Sequence, residues 1–452
     1  MKRQTIAVML ALYPGWHMRG AEPMNEARLI VLDPGHFHAT LLQKEMYAAL
    51  AKQVSVYAPL GPDVLDYMQR VTLFNSRKEN PTSWQIELHA GPDFLERMLR
   101  ERPGNVIIIS GRNRPKIDRV AASVDAGFNV LVDKPWIIRS SDLPKLEHAL
   151  NEAEAKGLVA YDIMTERYEI TSILQRELVN DAEVFGKLQA GSIAEPAVSA
   201  RSVHQLMKEV AGVPLRRPAW FFDIAETGEG LADVGTHVVD LVQWTAFPDQ
   251  TLDYRTDIQV LSGRRWPTVM SQSDFQRVTG EPEFPSYLAT HVKEGKLEYF
   301  CNNSVDYATR GVHVRMEIVW NWEAPAGTGD SYEATFRGSK SRVEIRQGKA
   351  GRFVPELYVV PNSAQSSDVE AGLKKKIEAL QARYSGVAAE ETAGGFHIVI
   401  PKSFRVGHEA HFAQVANQFF AYLKAPKTLP AWEKANMLAK YFVTTKGVEA
   451  AH

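Results

Sequence analysis

Between Arg28 and Lys156 short apolar runs alternate with longer amphipathic ones, and few folds accept that pattern. Arg28 to Leu32, Val54 to Ala58, Asn105 to Ser110 and Asn129 to Val132 read as strands. Ala39 to Lys52, Pro62 to Arg70, Phe94 to Arg100, Pro115 to Ala126 and Ser141 to Lys156 read as helices. Strands alternating with helices predict a parallel, doubly wound α/β sheet. Past Ala160 the texture changes to long β-rich segments, His313 to Trp322 and Ser331 to Arg346, joined by Gly, Pro and Ser turns. That shift predicts a second domain built on a large, mostly antiparallel open sheet. Residues 362–394 are polar and read as a surface insertion, and helices return at Gly407 to Leu423 and Pro430 to Thr444. The expected units are 22–160, 161–405 and a helical tail, 406–452, packing back on the body.

With 452 residues the chain exceeds what one core usually holds, which agrees with two domains. The 52 Lys and Arg against 54 Asp and Glu leave no excess of positive charge to attract nucleic acid or an anionic membrane. The single cysteine, Cys301, excludes a disulfide framework and reads as a buried thiol on a strand. Residues 1–21 have the order of a secretory signal: Lys2-Arg3, an apolar stretch from Ile6 to Tyr13, then Gly20 and Ala21. The expected location is therefore periplasmic or secreted, with a cytoplasmic protein and a frayed N-terminus as the alternative. No apolar run reaches the roughly 20 residues that span a bilayer.

Two motifs carry chemistry. Asn129-Val130-Leu131-Val132-Asp133-Lys134-Pro135-Trp136 is an apolar strand ending in an acid and a lysine, and ligands of open parallel sheets bind beyond the carboxyl ends of strands. Gly230-Leu231-Ala232-Asp233-Val234-Gly235-Thr236-His237 sets Asp233 and His237 four apart, on one face of a helix. Taken alone, Lys134 could be a solvated loop charge, Asp233 a helix cap and His237 a core histidine.

Together the motifs resemble the Gfo/Idh/MocA oxidoreductases, whose marks are a Glu-Lys-Pro turn and a Gly…Asp-x-Gly-x-His-x-x-Asp helix start. Ser110-Gly111-Arg112-Asn113 stands in place of that family's Thr-Pro-Asn turn, Thr165-Glu166-Arg167-Tyr168 is similar to its Asn-x-Arg-aromatic strand, and Trp220-Phe221-Phe222-Asp223 precedes the helix motif as in relatives. The resemblance spans roughly residues 28 to 245. It implies a Rossmann-like first domain, NAD or NADP as cofactor, and hydride transfer from a carbohydrate hydroxyl, with Lys134, Asp233 and His237 catalytic. Gly35, His36, Phe37, His38, Ser110, Gly111, Asn113, Asp133 and Lys134 are the implied cofactor contacts. Trp136, Arg167, Trp220, Asp223 and His237 are the implied substrate contacts, and a homodimer or higher homo-oligomer is implied by analogy. Burial of Lys134 between domains is expected to lower its pKa enough to let it share the proton.

The chain departs from that family at the first turn, where Leu32-Asp33-Pro34-Gly35-His36-Phe37-His38-Ala39 keeps only Gly35 of the glycine-rich loop. His36 and His38 alternate as metal ligands do, but no third ligand is apparent nearby, so no metal is expected. Two other readings stay open. One is an NAD-dependent glycosidase that cleaves by transient oxidation and elimination; the other is a non-catalytic carbohydrate-binding protein with a decayed Rossmann domain.

Overall fold

Six strands make the first sheet: β1 (Ala27–Leu32), β2 (Leu50–Ala58), β3 (Gln85–Ala90), β4 (Val106–Ile109), β5 (Asn129–Val132) and β6 (Ala160–Asp162). The computed structural model describes residues 27–210, 213–214, 216–325 and 328–452, so the leader expected over 1–21 lies outside the described residues. All six strands are parallel, in the order β3-β2-β1-β4-β5-β6. This is the Rossmann order, with its switch point between β1 and β4. β4 reads Val-Ile-Ile-Ile and is buried throughout, as a strand covered by helices on both faces must be. β6 extends the first domain past residue 160, to Asp162.

The second sheet is built from β7 (Val198–Met207), β10 (Ile258–Met270), β11 (Val292–Lys293), β12 (Lys296–Thr309), β13 (Val312–Glu323), β14 (Ser331–Arg337), β15 (Ser341–Arg346), β16 (Glu356–Pro361), β17 (Ala388–Thr392) and β18 (Gly395–Val399). Between β7 and β10, β8 (Glu209–Val210) and β9 (Val213–Pro214) form a small separate ribbon. Every pairing in the large sheet is antiparallel except β13 with β7. Burial alternates along β12, the mark of a sheet packed on one face.

Two helices tie the lobes together. His408–Lys424 buries Phe412, Val415 and Phe419 against the first domain. Ala431–Glu449 sends Met437, Leu438 and Tyr441 into the first domain's core, and Ala439 and Val443 into the second's. Within the second lobe, Gly230 lets the short helix Gly230–Asp233 seat on β12, since a Cβ there would lie 2.1 Å from the Cys301 carbonyl oxygen. Cys301 is buried as read, and burial pushes its thiol up to about 12. Among the described residues no helix is long and apolar enough to cross a membrane.

Two expectations are corrected. The helix read over Ala39 to Lys52 is only His38–Leu41. The Gln43 carbonyl accepts from the Trp84 indole (2.7 Å) and the Lys44 carbonyl from Arg77 (2.6 Å), so both are taken by side chains and the chain turns into β2. The segment read as a surface insertion contains the helix Ser366–Leu380, whose Val369, Leu373 and Leu380 are buried in the second core, followed by edge strand β17. Its polar face dominated the composition and hid the apolar stripe. Leu373→Ala is therefore expected to cost about 2–5 kcal/mol, seen as a clear drop in melting temperature. A true surface insertion would leave melting unchanged.

Candidate active site

Lys134 leaves the carboxyl end of β5 and Asp233 ends the helix Gly230–Asp233 of the other lobe; their side chains meet, Nζ donating to Oδ1 at 2.6 Å. The Lys134-Pro135 peptide is cis. Burial alone would lower the Lys134 pKa, but the carboxylates of Asp233 and Asp133 outweigh it and hold the amine above its ordinary value. The expectation of a depressed, proton-sharing lysine is thus corrected: a partnered ammonium stays charged.

His237 lies on the next helix, Gly235–Ala246. Burial, then the positive field of Lys134, lowers its pKa well below the ordinary histidine value, so the imidazole is neutral. Its Nδ1 is buried and has no hydrogen-bond partner among the described residues. Asp233 pairs with Lys134 rather than with His237.

Glu166 was not singled out from sequence. It follows β6 beyond the strand's carboxyl end, and burial with repulsion from Glu169 raises its carboxyl to about 7. Its place past a strand end was the only signal available. In the second lobe Arg217 packs against the rings of Phe221 (4.5 Å) and Trp320 (5.0 Å), and donates to the carbonyls of Leu206 and Gln205.

The shortened first turn is occupied differently from the expectation. The amides of Gly35 and His36 donate to the Ser110 carbonyl at 3.0 and 3.1 Å instead of facing outward. Gly111 is required by close approach, because a Cβ there would sit 2.3 Å from the Asp33 carbonyl oxygen. Ser110 donates its hydroxyl to Asp133 (2.9 Å), and Asn113 accepts from Lys116 (2.8 Å) while donating to the Thr227 carbonyl (2.8 Å). Phe37 is exposed at the start of the short helix. Ser110 and Asn113 therefore spend their side chains on the framework. Lys116, wholly buried, is lowered to about 8 by desolvation.

Asp133 also supplies what the sequence hid from His36 and His38, a third group. Their Nδ1 atoms each lie 3.0 Å from one of its carboxylate oxygens. Desolvation would raise the carboxyl, but His38, His36 and Lys116 hold it well below the usual range. Burial lowers His38 to about 4 and, on the stacked ring of His408, the pKa to about 3. His408, at the start of a helix some 370 residues later, could be placed here only by the fold.

Three implied substrate contacts belong elsewhere. Trp136 is fully buried in the first core and donates to Asp162 at 3.2 Å. Arg167 forks onto Asp240 (2.6 and 2.7 Å) and reaches Glu433 (2.6 Å), in a network that Lys440 joins through Asp240 and Asp162. A guanidinium so engaged is a structural tie. Asp223 caps the helix Ile224–Thr227 by accepting from the Ala225 amide. Trp220 crosses the crevice to Asp63 (3.2 Å) with Arg112 over its ring, on the rim of a cleft of about 410 Å³ lined by Asp33, Gly61, Asp63, Arg112 and Arg119.

Residues 174–452 match the family described as "Putative oxidoreductase C terminal domain". The chain belongs to this oxidoreductase family. A crystal structure of a "putative oxidoreductase" from Parabacteroides merdae shares 45% identity, covering 94% of this chain and 97% of that one with a TM-score of 0.92. At 12% identity, levoglucosan dehydrogenase in complex with NADH and levoglucosan covers 94% and 97% with a TM-score of 0.56. The 3-ketoreductase KijD10 from Actinomadura kijaniata, complexed with NADP and TDP-benzene, does so at 13%, 94%, 98% and 0.55. These two share the fold, and the Gfo/Idh/MocA resemblance read from the motifs stands with it. No functionally curated protein matches the chain.

The Arg167 network sets two expectations. Arg167→Ala should cost about 3–5 kcal/mol, by leaving Asp240 and Glu433 buried without their cation, and Arg167→Lys should restore little of it. A substrate contact would instead raise KM with melting unchanged. Asp240 would be raised by burial, but Arg167 and Lys440 lower it from 3.8 to about 2. Its contribution is therefore complete above the unfolded carboxyl's pKa and is lost as pH falls through 4 toward 2, which acid titration of the melting temperature measures.

Proposed function

We propose that this chain is an NAD(P)-dependent oxidoreductase that moves a hydride between a carbohydrate carbon and a nicotinamide. The observation that carries the reading is the Lys134–Asp233 contact at 2.6 Å between the two lobes, with a neutral histidine one turn farther along. The 410 Å³ cleft offers a place for the adenosine half of a dinucleotide, where Asp33, now paired with Arg119, and Asp63, now paired with Arg112 (3.7 Å), would turn to ribose hydroxyls and the two guanidiniums to phosphate. The Gly35 and His36 amides, engaged by Ser110, would not hold the pyrophosphate. The Nδ1 of His237 is buried and has no partner among the described residues, and leaving such a group unmet costs about 1–3 kcal/mol, which a hydroxyl admitted to it would relieve.

A nicotinamide, when bound, supplies the two-electron acceptor or donor. In the oxidative direction His237, uncharged, takes the hydroxyl proton as the C–H bond breaks. The Lys134 ammonium donates to the oxygen as negative charge grows there. Asp233 keeps that ammonium charged and aimed. Glu166 adds a carboxyl that titrates near neutrality. The solved neighbour complexed with NADH and levoglucosan supports a carbohydrate ligand. Export and self-association belong to the same reading, and a tightly held cofactor would suit an exported enzyme.

Mass spectrometry of the denatured protein should release NAD or NADP, and Lys134→Ala should reduce turnover on the best sugar by about 10²–10³-fold. Absence of both a released dinucleotide and NAD(P)-dependent turnover of any sugar would overturn the proposal. Accumulating NADH marks net oxidation; glycoside cleavage without it marks the redox-neutral elimination. Because His237 is already neutral, any limb of the kcat/KM profile near pH 7 is expected to follow Glu166, and to vanish in Glu166→Gln but not in the wild type.

A further inference from the structure

We infer that His36, His38 and Asp133 bind one divalent transition-metal ion in the turn where a glycine-rich loop would otherwise stand. The Nδ1 atoms of His36 and His38 lie 3.0 Å from Oδ2 and Oδ1 of Asp133, and the three groups' ligand atoms fall within 4.8 Å of one another. Ligands held about 2.0–2.1 Å from a metal stand roughly 2.9–3.4 Å apart in octahedral or tetrahedral geometry; the two His–Asp133 spacings already match, and any wider pair within the 4.8 Å group would close on the ion.

The site is braced as metal sites are. Ser110 donates to Asp133 Oδ2 (2.9 Å), Lys116 donates to the Asp133 carbonyl (3.0 Å), and His38 is stacked on His408 with ring centroids 5.0 Å apart. Such outer contacts fix ligand orientation. The Gly35 and His36 amides, clamped on Ser110, hold the histidine loop itself. Asp133 and His38 are buried, whereas the His36 side chain is 35% exposed, leaving one side approachable. Three protein ligands with an open side is the arrangement of reactive rather than structural sites. Two imidazoles and a carboxylate select Zn²⁺, Fe²⁺ or Mn²⁺ over Ca²⁺ or Mg²⁺. Hydrogen bonding alone would need only one imidazole to orient this carboxylate, which already has Ser110.

The inference stands apart from the redox reading, because it is tested without turnover. The tag-free chain, stripped with chelator and dialysed, is titrated with Zn²⁺ by calorimetry and with Co²⁺ by visible absorption. One equivalent of Zn²⁺ is expected, together with a Co²⁺ ligand-field band. His36→Ala, at the exposed ligand and checked for unchanged melting, should weaken Zn²⁺ by at least about tenfold and abolish the band. Asp133→Asn should do the same if it folds, and His408→Ala should retain one equivalent. Absence of Zn²⁺ binding, or equal binding by His36→Ala, would overturn the site.

Discussion

The buried ion-pair network around Asp240 is the tie on which the rest of the geometry rests. Asp162 at the end of β6 accepts from Trp136, Tyr441 and Lys440; Lys440 also reaches Asp240, and Asp240 is gripped by both arms of Arg167. The first sheet, the site helix and the C-terminal helix are thereby fixed to one another in a place where water cannot compensate a broken contact. Asp240 lies three residues past His237. Locating it locates the face of that helix that carries His237 relative to the turn that carries Lys134.

That rigid frame decides protonation. Lys134 is placed against Asp233, whose charge with that of Asp133 outweighs desolvation, while burial lowers His237 and His408, and at His38 it outweighs even the Asp133 carboxylate beside the ring. Basic groups sharing one crevice thus divide into a fixed ammonium and neutral imidazoles. Hydride chemistry at a hydroxyl asks for that division: a cation for the developing oxyanion and an uncharged base for the proton. The same crevice gathers His36 and His38 around Asp133, in the turn that keeps only Gly35 of a glycine-rich loop.

The doubly wound sheet was legible because Val106–Ile109 and Asn129–Val132 are unbroken apolar runs, which both local propensity and burial favour. Lys134, Asp233 and His237 could be singled out because their spacing belongs to a known motif, and the structure brings the first two together at 2.6 Å. The helix read after β1 failed because Trp84 and Arg77, distant in sequence, capture the carbonyls it would have used. Residues 366–380 were misread because a one-sided apolar stripe is diluted by the exposed face in any average of composition. Trp136 and Arg167 looked like ligand contacts because aromatic and guanidinium groups serve cores and sites equally well, and only their partners tell which.

By itself, the amino-acid sequence determined the order of strands and helices, the division into two lobes and the identity of the groups with acid, base and cationic chemistry. Those depend on periodicity and residue type, which act over a few neighbours. Which groups face each other was decided only by tertiary structure: Lys134 with Asp233 across 99 residues, Asp133 with His38 across 95, Arg167 with Glu433 across 266. Charge and burial depend on distance in space, and packing alone brings those residues together.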